Sequence, residues 1–238
     1  MSLCIYLPAY QAEKTLAGVL ARIPAQILAR PDLRLLVVDD GSRDGTAALA
    51  TSLARSLPAL ELHSFSANQG YGAAVAHGLA WARRSGARAA ICLHSDGQYP
   101  PEAIPALLER LESGLDLVQG SRHREGTALR GGMPLYKWAA GHALSALERR
   151  VLGLDLTDFH SGLLAFGPRA LEVLPESGMS TSFDFDLEAI ARCRAADLRI
   201  GEIGIPTRYA DEESHLRSIP YGWACLRVLR RYLREELA

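Results

Sequence analysis

Leu33-Arg34-Leu35-Leu36-Val37-Val38-Asp39-Asp40-Gly41-Ser42 decides the fold class of this chain. From Leu35 to Val38 its apolar residues fall on consecutive positions rather than alternating, the pattern of a strand covered on both faces. The run then stops at two aspartates, a glycine and a serine. A buried strand ending in a polar cluster suits an open parallel sheet, whose ligands sit beyond the carboxyl ends of the strands. The form recurs on either side. Short β-rich runs occupy 3–7, 33–38, 60–65, 89–93 and 115–119, with helical stretches at 13–29, 45–56, 72–85 and 101–113. Strands alternating with helices are βαβ units, so the sequence predicts an α/β fold: a mostly parallel central sheet with helices on both faces. Two more polar clusters close strands, Pro8-Ala9-Tyr10 and His94-Ser95-Asp96-Gly97-Gln98.

From Gly120 the rhythm changes. A glycine- and arginine-rich loop over 120–132 precedes a helix at 134–152, a strand at 162–166, a helix at 184–196 and a strand at 200–205. There is no internal repeat and no low-complexity linker. The expectation is one domain over 1–238, with functional halves at 1–119 and 120–219 and a C-terminal amphipathic helix at 220–238.

Composition agrees. In 238 residues, 48% are hydrophobic and 22% charged, which suits a globular core and excludes a disordered, collagenous or coiled-coil chain. Lys plus Arg number 26 against 27 Asp plus Glu, so no global basic field exists to hold nucleic acid. Cys4, Cys92, Cys193 and Cys225 are widely spaced and form no C-x-x-C pair; they read as buried thiols of a reducing cytosol, not disulfides or zinc ligands. The first residues carry no basic n-region, and no apolar run approaches bilayer-crossing length, so the expected location is cytoplasmic.

The strand-end clusters carry the chemistry. An aspartate in Asp39-Asp40-Gly41-Ser42 can accept from a ribose hydroxyl or a base N–H; helix capping explains it equally well. In the 94–98 cluster, residues two apart on an extended chain point the same way, which would converge His94, Asp96 and Gln98. An aspartate oxygen, an amide oxygen and diphosphate oxygens suit Mg²⁺ or Mn²⁺. His94 is then either a ligand or a hydrogen-bonding neighbour. Asn68-Gln69-Gly70-Tyr71-Gly72 lacks a P-loop lysine, and close helix-to-strand packing is the expected reason for its glycines.

Taken in order, these pieces resemble the family 2 glycosyltransferases of the GT-A fold, and most closely their polyprenyl-phosphate hexosyltransferase branch. The resemblance also rests on Gly120-Ser121-Arg122, the segments 158–162 and 202–206, and Glu13. It implies a nucleotide-diphosphate sugar donor, UDP- or GDP-linked, a divalent metal and inversion at the anomeric carbon. It places the nucleoside on Pro8, Tyr10, Glu13, Asp39 and Asp40, and the metal-diphosphate on Asp96 and Gln98. Arg122, Arg130 and Lys137 would meet an acceptor phosphate, with Arg124 read as a solvated loop residue. Asp158 would position substrate.

Three departures stand out. His94 replaces the usual first acid of the Asp-x-Asp motif. The late Ser-Lys element reads Ser214-His215, leaving Arg208, His215 and Arg217 as candidate donor-phosphate cations. The membrane helices that follow the domain in many relatives are absent from this sequence.

The acceptor reading is a lipid-linked phosphate, with peripheral contact at the inner membrane face. Leu226, Leu229, Leu233 and Leu237 share a helical stripe beside Arg227, Arg230, Arg231 and Arg234. That stripe either lies in an anionic interface or packs on the protein's own sheet. A phosphate acceptor needs no strong base. A saccharide acceptor would need one, and Asp158, Asp184 and Asp186 are the places to look. Such a saccharide acceptor, nucleotidyl transfer and non-catalytic nucleotide-sugar binding are the competing readings.

Overall fold

A computed structural model describes residues 2–124, 135–206 and 218–237. The run around Val37 forms β2 (Leu33–Asp39), buried at every position except Arg34. It lies parallel to β1 (Leu3–Ala9) on one side and β3 (Leu60–Ser64) on the other. On the far side of β1 lies β4 (Ala89–Cys92), also parallel. The connections are α1 (Leu16–Ala21) with α2 (Ala25–Leu28), then α3 (Thr46–Ser56) and α4 (Tyr71–Arg84).

Beyond β4, a 3₁₀ turn at Pro101–Ala103 leads into α5 (Ile104–Glu112) and β5 (Leu117–Ser121). Then come α6 (Leu135–Leu152), β6 (Leu164–Phe166), α7 (Pro168–Val173), α8 (Phe185–Ala195), β7 (Ile200–Gly204) and α9 (Ser218–Leu233). The strands form one sheet in the order β3-β2-β1-β4-β6-β5-β7. β6 is inserted antiparallel between β4 and β5; every other pairing is parallel. This is the mostly parallel sheet the sequence led us to expect.

Side chains alternate across the sheet, as period-two strands require. Tyr6, Val38, Cys92 and Phe166 point to one apolar layer with Leu79 and Phe185, while Ile5, Val37, Ile91 and Val118 point to the other with Leu107. All four cysteines are buried free thiols.

Two expectations need correction. The helix at 13–29 is two short helices, because Pro24 has no N–H to donate and disfavours a helical Ile23 before it. The leucine stripe of α9 is split between faces. Cys225, Val228 and Leu229 face the core at i, i+3 and i+4 spacing. Trp223, Leu226, Arg227, Arg230, Leu233 and Arg234 form a separate exposed stripe. Among the described residues no helix is long and apolar enough to cross a membrane.

Candidate active site

Strand order reverses between β1 and β4, and the polar clusters gather there, beyond the carboxyl ends of the strands. Parallel register sets Ala9 beside Asp39, so the ends of β1 and β2 arrive together. Asp39, the last residue of β2, and Asp40 after it are both buried. Asp39 accepts from the Ser42 N–H at 3.1 Å, which shapes the turn. Asp40 accepts from the Gln69 and Gly70 N–H groups at 2.6 and 3.0 Å, tying down the 68–72 loop. Gly41 has φ +68°, and a side chain there would collide with the backbone of Ala67 and Asn68. Tyr10 and Gly41 line a cavity of about 220 Å³ with Ser42, Phe65 and Asn68. Pro8 is buried, its carbonyl accepting from Ser95 Oγ. Glu13 faces the start of α3 instead, taking the Gly45 N–H at 3.0 Å.

The 94–98 cluster is a turn, not an extended strand, because β4 ends at Cys92. Asp96 Oδ1 accepts from the Gln98 N–H at 2.9 Å, while Oδ2 stands 4.0 Å from His94 Nδ1. Asp96 is 38% exposed, against 19% for His94. Gln98 also borders a second cavity, about 360 Å³, with Arg22, Pro100, Ile205 and Pro206.

Behind this turn lies a relay that the sequence did not reveal. His94 Nε2 lies 3.0 Å from the Tyr71 hydroxyl, which in turn lies 3.1 and 3.0 Å from the two oxygens of Asp186. Phe183 stacks on Tyr71, and Tyr99 packs edge-on against His94. Burial holds His94 below its ordinary value, so the ring is neutral. Burial also raises Asp186 to about 7, against the opposing Tyr71 hydrogen bond. When Asp186 is ionised, Tyr71 donates to it and His94 Nε2–H donates to Tyr71. Nδ1 then presents a lone pair beside Asp96 Oδ2. A carboxylate oxygen and an imidazole lone pair turned towards one partly open point fit a divalent ion whose remaining ligands are substrate oxygens.

The glycines of the 68–72 loop also need a different explanation. A side chain at Gly70 or Gly72 would strike the backbone of the 180–182 segment, so these glycines admit that segment rather than a strand.

On the other side of β4, Arg122 and Asp158 are paired. Arg122 Nε donates to Asp158 Oδ2 at 2.8 Å, and one terminal nitrogen reaches Oδ1 at 3.2 Å and the His160 carbonyl at 3.1 Å. Burial alone would raise Asp158, but the guanidinium prevails and holds its carboxyl far below the usual range. Arg124 is exposed, as its loop position implied, but it is also ion-paired with buried Glu202 at 3.1 Å. Glu202 also takes the N–H and hydroxyl of Thr157, both at 2.8 Å. Asp184 accepts from Ser180 Oγ at 2.7 Å. Arg130, Arg208, His215 and Arg217 lie outside the described residues, as does the side chain of Lys137.

The sequence model of Glycosyl transferase family 2 matches residues 4–174. The chain is 29% identical over 213 residues to the polyprenol monophosphomannose synthase of Mycolicibacterium smegmatis, covering 88% of this chain and 77% of that one. It is 29% identical over 206 residues to the undecaprenyl-phosphate mannosyltransferase of Micrococcus luteus, covering 86% and 83%. Among solved structures, glucosyl-3-phosphoglycerate synthase from Mycobacterium tuberculosis, crystallised with uridine diphosphate, superposes with a TM-score of 0.71 at 20% identity. That match covers 97% of this chain and 79% of the other, a likeness of fold.

Proposed function

The chain belongs to the family 2 glycosyltransferases and is a glycosyltransferase, and on that premise we propose that it moves a hexose, with inversion, from a nucleotide-diphosphate sugar to a polyprenyl phosphate. The observation that carries the donor side is the meeting, where strand order reverses, of the Tyr10–Gly41 cavity, Asp39 and the His94–Asp96 turn. The nucleoside sits against Pro8, Tyr10 and Asp39, with Asp40 and Glu13 holding the loops around it. The diphosphate lies over Asp96 and Gln98. Mg²⁺ or Mn²⁺ held by Asp96, with His94 and Gln98 beside it, would neutralise charge on the leaving diphosphate. The likeness in fold to a transferase crystallised with Mn²⁺ or Mg²⁺ and uridine diphosphate accords with this donor.

Support for the acceptor comes from the two relatives, both of which are named for polyprenyl-type carriers. A phosphate oxygen is already anionic near neutral pH, so the protein's task is to place it, not deprotonate it. Asp158 fixes the fork of Arg122 on the acceptor side, suiting the pair to that placement. The exposed stripe of α9 combines Trp223, Leu226 and Leu233 with Arg227, Arg230 and Arg234. Aromatic and aliphatic side chains interleaved with arginines suit an anionic bilayer surface, where a lipid acceptor resides.

The test is transfer from UDP- and GDP-hexoses, with Mn²⁺, to a short-chain polyprenyl phosphate and, in parallel, to free saccharides. A lipid-linked product is expected. Transfer only to saccharides would end the lipid-phosphate reading.

A further inference from the structure

Glu148 on α6, His160 in the loop after it and Cys225 on α9 bring one donor atom each to within 4.8 Å of one another. The set is interior. Glu148 and Cys225 are fully buried, and the His160 side chain is 11% exposed. Neither oxygen of Glu148 accepts a hydrogen bond from any described residue, and His160 Nε2 has no hydrogen-bond partner either. Nε2 stands 3.1 Å from Glu148 Oε2, an ion-pair distance, but out of hydrogen-bond alignment. Against burial, which would lower it, Cys225 and the Glu148 carboxylate raise His160 to about 10, so the metal-free site holds a carboxylate–imidazolium pair. Buried polar atoms are nearly always satisfied, and the pair still leaves Glu148 Oε1 without a partner among the described residues, which calls for an explanation. Ser145, one turn before Glu148 on α6, adds a third buried oxygen without a hydrogen-bond partner among the described residues.

The ring is also oriented from behind. His160 Nδ1 lies 2.8 Å from the Tyr221 hydroxyl, which leaves Nε2 as the nitrogen turned towards Glu148. Metal-binding histidines are characteristically held in this way through their second nitrogen.

We propose that Glu148, His160 and Cys225 form a zinc site distinct from the donor-side Mg²⁺ or Mn²⁺ site. A carboxylate oxygen, an imidazole nitrogen and a thiolate sulfur are a zinc-type set; magnesium and manganese favour all-oxygen sites. With zinc–ligand bonds of about 2.0–2.3 Å, tetrahedral donors stand roughly 3.2–3.8 Å apart. The His160–Glu148 pair is already near that separation, and Cys225 closes the remainder by a small side-chain movement. A water, or the Ser145 hydroxyl, completes the fourth position. Binding involves no oxidation: Zn²⁺ enters, the imidazolium and thiol protons leave to solvent, and the buried carboxylate keeps its compensating charge.

The sequence read against zinc because no two cysteines are closely spaced. The fold supplies instead three donors from three separate segments. Zinc here would clamp α6 and α9 to the loop whose Asp158 holds Arg122, fixing the acceptor side from beneath.

The experiment uses the full chain freed of metal, then titrated with Zn²⁺ or Co²⁺. Expected are about one equivalent of zinc retained through gel filtration and a Tm that rises with zinc. Thiolate-to-cobalt absorption in the near ultraviolet should appear in the wild type and in Asp96→Ala, but not in Cys225→Ser. Oxygen ligands around Asp96 cannot produce that absorption, so the readout is independent of the donor metal and of transfer activity. Absence of both the cobalt–thiolate absorption and the zinc-dependent Tm rise in the wild type overturns the proposal and leaves a carboxylate–imidazolium ion pair. Absorption that persists in Cys225→Ser overturns it too.

Discussion

The Tyr71 hydroxyl lies within hydrogen-bonding reach of both carboxylate oxygens of Asp186 and of His94 Nε2. This contact couples a carboxyl buried under α4 to the ring facing Asp96. Tyr71→Phe keeps the stacking on Phe183 but removes that coupling. Loss of such an outer partner weakens metal binding by about 10–100-fold. Titrating Mn²⁺ in the presence of a nucleoside diphosphate should show that loss, with the fold intact by circular dichroism.

Asp186 also predicts a pH dependence of stability. Burial raises its folded value to about 7 from an ordinary 3.8, so the folded state holds the proton more tightly than the unfolded chain does. That contribution is complete below about pH 4 and is lost as pH rises towards 7. That difference corresponds to about 4 kcal/mol. Asp186→Asn cannot ionise, so its urea-denaturation stability should fall less between pH 5 and pH 8 than that of the wild type.

Asp158 carries the opposite sign. Its folded value is depressed, so its contribution is present above the ordinary carboxylate value and lost as pH falls below it. Asp158→Ala leaves Arg122 beside an empty site, at a cost of about 3–5 kcal/mol for a buried pair stripped of one partner. Equilibrium unfolding at pH 6 and pH 3 measures both effects, and the variant should lose less stability than the wild type on acidification.

Asp96→Ala separates chemistry from folding. The side chain is 38% exposed and gives up one turn hydrogen bond, from the Gln98 N–H, so its removal should cost only about 0.5–1.5 kcal/mol. Sugar transfer should fall by at least about 10²–10³-fold, the scale for loss of one stabilising group at developing charge. Turnover assays alongside thermal melts give both numbers. Metal-dependent turnover retained in this variant would remove Asp96 from the role proposed for it.

Gly41→Ala tests the turn beneath Tyr10. A left-handed conformation costs a side-chain-bearing residue about 1–2 kcal/mol, before the collision with Ala67 is counted. Calorimetric titration with UDP and GDP should show weakened binding, together with a lowered Tm.

Sequence made the sheet legible because its strands are local runs with a local signature. Leu35 to Val38 read as a doubly covered strand, and β2 is one. The antiparallel direction of β6 was not legible: three residues, Leu164–Phe166, carry no mark of orientation. The strand-end placement of Asp39 and Asp96 followed from position, since Asp39 comes directly after an apolar run and Asp96 three residues after one. Tyr71 did not, because its partner Asp186 lies 115 residues away and only the folded chain joins them. The three donors around Cys225 stayed hidden for the same reason. Pro24 was the signal that should have divided the first helix, and it was visible from the start.

The antiparallel insertion of β6 governs how the chain emerges from the ribosome. When β4 has been made, its outer edge has no partner, and its neighbour Leu164–Phe166 has yet to be synthesised. Until then the nascent chain carries the bare hydrogen-bonding edge of a fully buried strand, the kind of surface that recruits other chains. Expression of residues 1–119 alone should therefore give aggregates rather than an isolated nucleotide-binding unit, and in the cell this interval is where a chaperone has most to protect.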